Sequence, residues 1–461
     1  ADEVRRAIGD ALVKYPADPV DEQTAQPLDL GDPGMLPIED DSSRFPSPPD
    51  PAAFGGLVGE AVACLASDTD ASEVALLASM LAFCGALMPA RGYLHGYHTS
   101  TPFLALVGPT GIGRKGTAMY KARDALGNAL SIDLVNRVRL NGIASGEALV
   151  RALLDRARDG TTYANPVGVL FEEEYATYLA AAGREGSTLD SRMRAAFDGM
   201  SLAQRKAAET VVVPEPYWLS GLVGITHKEL QAKVLQEAFY SGSGNRWLWL
   251  PVIRRDVTVE ESGPPVLPRE IADPIHESHT AHMRVPPLLR VSPDVTRMLS
   301  EYDAFLREVT IGMAADMTRR LGVIAFRIAL IHASVERAGL VTTEHFRRGL
   351  ALTEYARRGL RWTFGDALGN RDATLLYRHL QEQETLSNGT ISKFIIKDIG
   401  RRQDAIDELQ RAGVAEVVRV RTSGRTRSEL RLVRSAGGFR AFRATAAMDA
   451  TPFLGAEGAE V

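Results

Sequence analysis

Cysteine is almost missing from this chain: 461 residues contain two, Cys64 and Cys84. Both sit in apolar, helix-like segments, so buried thiols in a reducing cytoplasm are expected, and a disulfide scaffold or cysteine-built metal site is excluded. A long hydrophobic run is missing too. The longest, residues 74–89, is interrupted by Ser79, Cys84 and Gly85 and is too short to span a bilayer comfortably. It reads as a core helix, with no membrane partner expected. The N-terminal residues carry no signal-peptide pattern. The chain begins at Ala1 rather than Met, which leaves an upstream extension open. Charge of one sign is not in excess: 53 basic against 58 acidic residues give a net charge of −5, which offers no chain-wide attraction for nucleic acid. There is no internal repeat, and no Ser-His-Asp or Cys-His spacing that argues for nucleophilic catalysis. His276, His279 and His282 fall in a Pro-rich stretch without further ligands and read as a surface loop. His95 and His98 flank an apparent turn.

What is present is an ordinary soluble composition, 45% hydrophobic and 24% charged. The length calls for two or three domains. Residues 1–48 begin with a short amphipathic helix and become Pro- and Asp-rich, an expected extended or disordered arm from about residue 16. Residues 51–90 predict two helices. From 103 to 255 apolar strands alternate with helical segments: strands at Phe103–Val107, Val167–Phe171, Trp218–Ile225 and Trp247–Pro251, with helices near 117–130, 145–158, 189–198 and 227–238. Near-continuous apolar strands separated by helices predict an α/β core with a mainly parallel sheet. Residues 256–286 read as a linker, 287–368 as helical throughout, 371–436 as a further unit and 437–461 as a loose tail.

The strand Phe103–Val107 runs into Gly108-Pro-Thr110-Gly111-Ile-Gly113-Arg114-Lys115-Gly116-Thr117. Strand, glycine loop and helix, with a lysine and a hydroxyl at the turn, is the layout of a P-loop. Backbone N–H groups and the helix N-terminus would cradle phosphates, Lys115 would reach the outer ones, and Thr117 could hold Mg²⁺. The spacing is irregular. Arg114 occupies the usual lysine position, and Thr117 stands one residue late behind Gly116. A plain glycine-rich turn is the alternative.

A P-loop ATPase also needs carboxylates on a neighbouring strand. Val167–Phe171 is followed by Glu172, Glu173 and Glu174. Glu172 is assigned to the metal and either Glu173 or Glu174 to catalysis; a solvated charge run is the alternative. Thr226, ending the strand Trp218–Ile225, either senses the γ-phosphate or caps the next helix. The loop at 241–246 delivers Asn245 and Arg246, the latter either a finger for transition-state charge, in a neighbouring subunit, or a salt-bridge partner.

These segments together resemble the helicase/ATPase-like domain of unknown function found in actinobacterial, plasmid and phage replication proteins, often C-terminal to a primase–polymerase domain. The resemblance runs from about Phe45 to Leu432. It rests on Pro49-Asp-Pro-Ala-Ala-Phe, Arg114-Lys-Gly-Thr, Ser145-Gly-Glu, Glu172-x-Glu174-Tyr, Arg194-x-x-Phe-Asp198-Gly, Gly224-Ile-Thr226, Gly244-Asn-Arg246-Trp, Arg327-Ile-Ala-Leu-Ile and Glu344-His345. That family's loop also tends to carry Arg-Lys-Gly-Thr. The resemblance implies a RecA/AAA-like P-loop ATPase using ATP and Mg²⁺, ring-forming and hexameric, acting on single-stranded or forked DNA in replication, with a primase–polymerase as a further partner. It also singles out Arg327, expected on one long helix with Arg319 and Arg320, as an arginine over the nucleotide; a structural salt bridge is the alternative.

Residues 371–436 read as three helices followed by a β-hairpin, the order of a winged helix. Arg401 and Arg402 open its third helix, and Arg419, Arg421, Arg425, Arg427 and Arg431 flank its hairpin turn. This local arginine density suits phosphate contacts along DNA. Use of the same unit for protein contact is the alternative. Three functions follow: an ATP-driven translocase or helicase, a nucleotide-switched initiator or loader, or a non-hydrolysing scaffold for a primase.

Overall fold

The computed structural model describes residues 45–158, 165–206, 209–234, 242–257, 259, 263–283, 285–309, 313–364, 371–411, 414–421 and 426–433. The proposed arm (apart from residues 45–48) and tail lie outside these. In chain order the elements are α1 (Gly56–Ala66), α2 (Glu73–Leu87), β1 (Arg91–Tyr93), β2 (Tyr97–Thr99), β3 (Phe103–Val107), α3 (Lys115–Ala129), α4 (Ile132–Val138), β4 (Arg139–Leu140), α5 (Gly146–Arg158) and β5 (Val167–Glu172). Then come α6 (Tyr175–Ala182), α7 (Leu189–Phe197), β6 (Ala203–Lys206), β7 (Glu209–Val212), β8 (Trp218–Ile225), α8 (His227–Val234), β9 (Trp247–Pro251) and α9 (Arg269–His282). The C-terminal half holds β10 (Leu288–Val291), α10 (Pro293–Val309), α11 (Met313–Thr318), α12 (Leu321–Val335), β11 (Leu340–Val341), α13 (Thr343–Phe364), α14 (Arg371–Gln383), β12 (Thr385–Ser387), α15 (Ile399–Arg411), β13 (Ala415–Arg421) and β14 (Thr426–Leu432).

The centre is a five-stranded, all-parallel sheet in the order β4-β5-β8-β3-β9. β3, β8 and β9 are buried along their whole lengths. That is why they read as unbroken apolar runs: both faces of a central parallel strand are covered. Within β8, Gly221 makes room for the Trp247 ring, which a Cβ would meet at 2.7 Å. Helix α2 is buried nearly all round and packs across β3, β5 and β8, as expected of a core helix. Among the described residues no helix is long and apolar enough to cross a membrane.

Three expectations are corrected. The stretch 256–286 is not simply a linker. It contains α9, whose buried residues Ile271, Ile275, Ser278, His279 and His282 recur at helical spacing. The histidines are therefore not a surface loop. His279 Nδ1 bonds to Leu87 O at 3.0 Å, and His282 Nδ1 bonds to Ser334 Oγ at 2.9 Å. Pro274 misleads the sequence reading, because it sits inside the helix. Second, the region 287–368 is not helical throughout. β10 and β11 join β1 and β2 in a second sheet of order β11-β10-β1-β2. Third, Arg319 and Arg320 lie in a break between α11 and α12, so they do not share one helix with Arg327.

The C-terminal unit has its own core, with Leu376, Leu380, Leu386, Ile391, Leu409 and Leu430. Its β12 pairs with β14, which pairs with β13. β12 is absent from the sequence reading, which gives this unit three helices and a two-stranded hairpin.

Candidate functional site

In a parallel sheet, residues that follow their strands gather at one edge and residues that precede them at the other. This rule sorts the candidate residues. The glycine loop follows β3, Glu172 ends β5, Glu173 follows it, and Thr226 follows β8. Open α/β sheets bind ligands at this edge.

β3 hands the chain to Gly108 between the exits of its two neighbours. Gly108 N donates to Ile225 O at 3.1 Å, and Val252 N donates to Val107 O at 2.8 Å. Gly108 must be glycine, since a Cβ would lie 2.3 Å from Val252 O. The loop closes on itself through Gly113 N to Pro109 O at 2.9 Å and Ile112 N to Thr110 O at 2.8 Å. Gly111, at φ +71°, opens onto empty space beside exposed Thr110. Arg114 takes a left-handed φ of 46°, which costs a non-glycine residue about 1 kcal/mol. Its Nε donates to Asp70 Oδ2 at 2.9 Å.

Helix α3 begins at Lys115, two residues before the expected start. The N–H groups of Lys115, Gly116 and Thr117 thus form an uncapped first turn with the positive end of the helix behind them. Because Ile112 and Gly113 commit their N–H groups inside the loop, this turn carries the anion-binding capacity. Lys115 Nζ donates to Gly108 O at 2.6 Å and to Pro109 O at 3.4 Å. Burial lowers its pKa, and Glu229 opposes that shift.

The three carboxylates separate. Glu173 rests on the first turn of α3: a Cβ on Gly116 would lie 2.7 Å from its Oε2. The Tyr120 hydroxyl donates to Glu173 Oε1 at 2.5 Å, a bond that raises the tyrosine pKa. Glu172, assigned to the metal from sequence, is instead engaged by the β4 exit, accepting from Gly142 N at 2.5 Å. Burial raises its pKa and the Gly142 and Ile143 amides oppose this. Glu174 occupies the N-cap position of α6 without making a capping bond. The carboxylate brought to the loop is therefore Glu173.

Thr226 is an N-cap. Its hydroxyl accepts from Glu229 N at 3.1 Å and donates to Glu229 Oε2 at 2.8 Å. This reciprocal capping box holds Glu229 near Lys115. Its Thr-x-x-Glu signature was present in the sequence and unused. Asp70 and Arg255 are also new. Arg255 Nη2 donates to Thr69 O at 2.6 Å and its Nε to Ala71 O at 3.2 Å, clamping the turn that presents Asp70 to Arg114.

The oxygen donors at this edge are the exposed Thr117 hydroxyl and the Glu173 carboxylate, groups of the hard type that Mg²⁺ takes. Among the described residues no group of three or more His, Cys, Asp or Glu side chains converges. A Mg²⁺ here would draw its remaining ligands from phosphate and water.

Asn245, Arg246 and Arg327 are at the other edge. Gly244–Arg246 is a 3-10 turn that precedes β9. Arg246, 9% exposed, is bonded to Asp198. Asp198 also accepts from Arg320 at 2.8 Å. Arg327, 3% exposed, donates to Thr101 O at 2.8 Å and Phe197 O at 2.5 Å, its guanidinium 3.9 Å from the Phe197 ring centroid. Burial lowers its pKa to about 9. From Thr101 to Gly108 the extended chain covers roughly 20 Å. Within one chain these residues cannot touch a nucleotide held by the glycine loop; the salt-bridge alternative describes Arg246, whereas Arg327 is tied to main-chain carbonyls.

The C-terminal arginines are also partly spoken for. Arg401 forms a bidentate pair with Asp372 at 2.8 and 2.9 Å. Arg402 Nη1 bonds to Ile396 O at 3.2 Å. Arg427 pairs with Glu429 at 2.7 Å, and Arg431 stands opposite Glu416. Register puts Arg419 on one face of the hairpin and Arg427 and Arg431 on the other; the side chain of Arg421 lies outside the described ones. Arg425 lies outside the described residues. No protein-family model matches the chain, and no curated protein matches it, so functional inference rests on these residues and their geometry.

Proposed function

We propose that this protein is an Mg²⁺-dependent ATPase of the RecA/AAA-like P-loop type that drives DNA translocation or unwinding during replication of a plasmid, phage or other mobile element. The observation that carries the reading is the meeting of a glycine loop, an uncapped helix N-terminus, Lys115 and Glu173 at the C-terminal edge of a parallel sheet. Sheet order is compatible with it: β8, followed by the capped Thr226, separates the glycine-loop strand from the acidic strand.

In this reading the N–H groups of 115–117 and the Lys115 ammonium bind the β- and γ-phosphates. Lys115 exchanges its bonds to Gly108 O and Pro109 O for phosphate oxygens. Glu173 orients the attacking water, with Tyr120 fixing the carboxylate. Thr117 would hold Mg²⁺, which would supply positive charge against the phosphates. Arg246 and Arg327 are not available to the same chain's nucleotide. Transition-state arginine therefore comes from elsewhere, which fits a ring of subunits. The C-terminal unit, with helical segments at 371–383, 388–395 and 399–411 and a three-stranded sheet, is read as a winged helix that holds DNA.

The test is ATP hydrolysis with and without single-stranded DNA, for wild type and Lys115→Ala. DNA-stimulated turnover abolished by the substitution is expected. Tight nucleotide binding without turnover would favour a nucleotide-switched initiator or loader, a reading to which Lys115's inward bonds lend weight. Absence of nucleotide binding would leave a scaffold for a primase.

A further inference from the structure

The second sheet presents an outer face that the ATPase reading does not use. In the β1–β2 hairpin Tyr93 pairs with Tyr97, Gly92 with His98 and Arg91 with Thr99. Side chains alternate across a sheet, so Arg91, Tyr93, Tyr97 and Thr99 share one face. The other face is the packed one: a Cβ on Gly92 would lie 2.7 Å from a Leu330 methyl, and the His98 ring meets Phe326 edge-on with centroids 5.6 Å apart. Parallel register with β10 adds Leu288 beside Arg91, and Arg290 lies two residues further along that strand.

The outer face is aromatic and cationic. Tyr93 is 61% exposed and Tyr97 69%, with ring centroids 5.3 Å apart and an interplanar angle of 81°. Two large aromatic rings left this open on a short hairpin contribute little to the core. The hairpin is nonetheless held stiffly. Leu94 N donates to Gly96 O at 2.9 Å, His98 Nε2 bonds to Leu94 O at 3.0 Å, and Arg327 reaches Thr99 Oγ1 at 3.4 Å. The strands contribute Arg91 and Arg290 and no carboxylate. Arg320 and Arg327 stand close enough to push the His98 pKa down, after burial, to about 4. Asp198, on Arg320, is a carboxylate of this neighbourhood, and Asp303, half-buried beside Gly322, is another, burial raising its pKa and the His95 charge opposing that.

We propose that the outer face of β1–β2–β10 is a stacking platform for single-stranded DNA, with bases on Tyr93 and Tyr97 and phosphates on Arg91 and Arg290. Rigid exposed aromatic rings bordered by arginine are what sequence-tolerant single-strand binding needs, because every base has a π-face and every nucleotide a phosphate. A protein partner would not require the cations, and a duplex would not expose base faces to the rings. The platform lies in the region of the sheet edge that carries Arg246 and Arg327, away from the glycine loop. This inference rests on the DNA reading above.

The test uses the full chain, a labelled oligothymidylate, and a duplex of equal length, read by fluorescence anisotropy. The variants are Tyr93→Ala/Tyr97→Ala, Tyr93→Phe/Tyr97→Phe, and Arg425→Ala/Arg427→Ala. The alanine pair is expected to weaken oligothymidylate binding about tenfold or more, to leave duplex binding and nucleotide binding unchanged, and to be rescued by the phenylalanine pair. Wild-type binding retained in full by the alanine pair, but lost in the Arg425/Arg427 variant, overturns the platform while sparing the DNA reading. A change of oligomeric state in light scattering without loss of oligothymidylate binding overturns it in favour of a contact between proteins. Failure of the wild type to bind either DNA overturns both.

Discussion

The two edges of the parallel sheet solve opposite electrostatic problems. At the edge the strands run into, charge recognition is prepared in backbone: an uncapped helix turn, a glycine loop and a partly exposed lysine and glutamate. At the edge they leave from, Arg246 and Arg320 share one carboxylate, Asp198, while Arg327 takes the carbonyls of Phe197 and Thr101 and Arg246 also takes that of Gly242. The first edge leaves the opening turn of α3 without a side-chain cap. The second uses its arginines to hold α7, α12 and the β9 entry together. An arginine beside a glycine-rich loop is therefore a structural tie here, and only its strand end reveals that.

The comparison breaks most visibly at the buried edge. Asp198→Ala leaves the Arg246 and Arg320 guanidinium groups without their shared carboxylate. Leaving the buried Arg246 without that partner costs about 2 kcal/mol, so the urea midpoint should fall clearly while Lys115→Ala hardly moves it. An unchanged midpoint would show that the arginines are satisfied by backbone alone.

At the loop edge the effect should be on chemistry. Glu173→Gln is expected to slow ATP turnover by about a hundredfold with nucleotide binding retained, and Glu172→Gln by far less. The reverse order would move the catalytic role to Glu172.

Acid should strain the arginine edge further. His98 is held neutral, its pKa lowered from 6.5 to about 4. A depressed pKa means the stability it contributes is present above pH 6.5 and lost as pH falls toward 4, on the order of 3 kcal/mol when complete. His98→Phe should flatten that part of the stability–pH curve, seen in denaturation at several pH values.

The smallest effect belongs to Arg114→Gly. Glycine relieves the left-handed strain, whereas the half-exposed pair with Asp70 contributes at most about 1 kcal/mol. Stability should stay within about 1 kcal/mol of wild type, and nucleotide affinity is the sharper readout.

Much of the core was legible. β3, β8 and β9 have the limits that the sequence predicts, because a strand buried on both faces must be apolar throughout. The glycine loop was legible because its glycines answer local demands, at Gly108 a neighbouring carbonyl. Legible but overlooked was the edge on which each residue falls: Arg246 precedes its strand, whereas Thr226 and Glu173 follow theirs. The capping box of Thr226 and Glu229 was overlooked in the same way. Helix α9 was hidden by Pro274, and β1, β2, β10 and β11 were hidden by being two to four residues long, too short for periodicity to register.

Sequence by itself determined the elements and the chemistry available, because propensity, apolar periodicity and turn geometry act over a few residues. Tertiary structure alone decided which carboxylate meets Gly116, which arginines share Asp198, and that Tyr93 and Tyr97 stand open on a stiff hairpin. Those outcomes depend on strand order and register, which bring together residues tens to hundreds of positions apart.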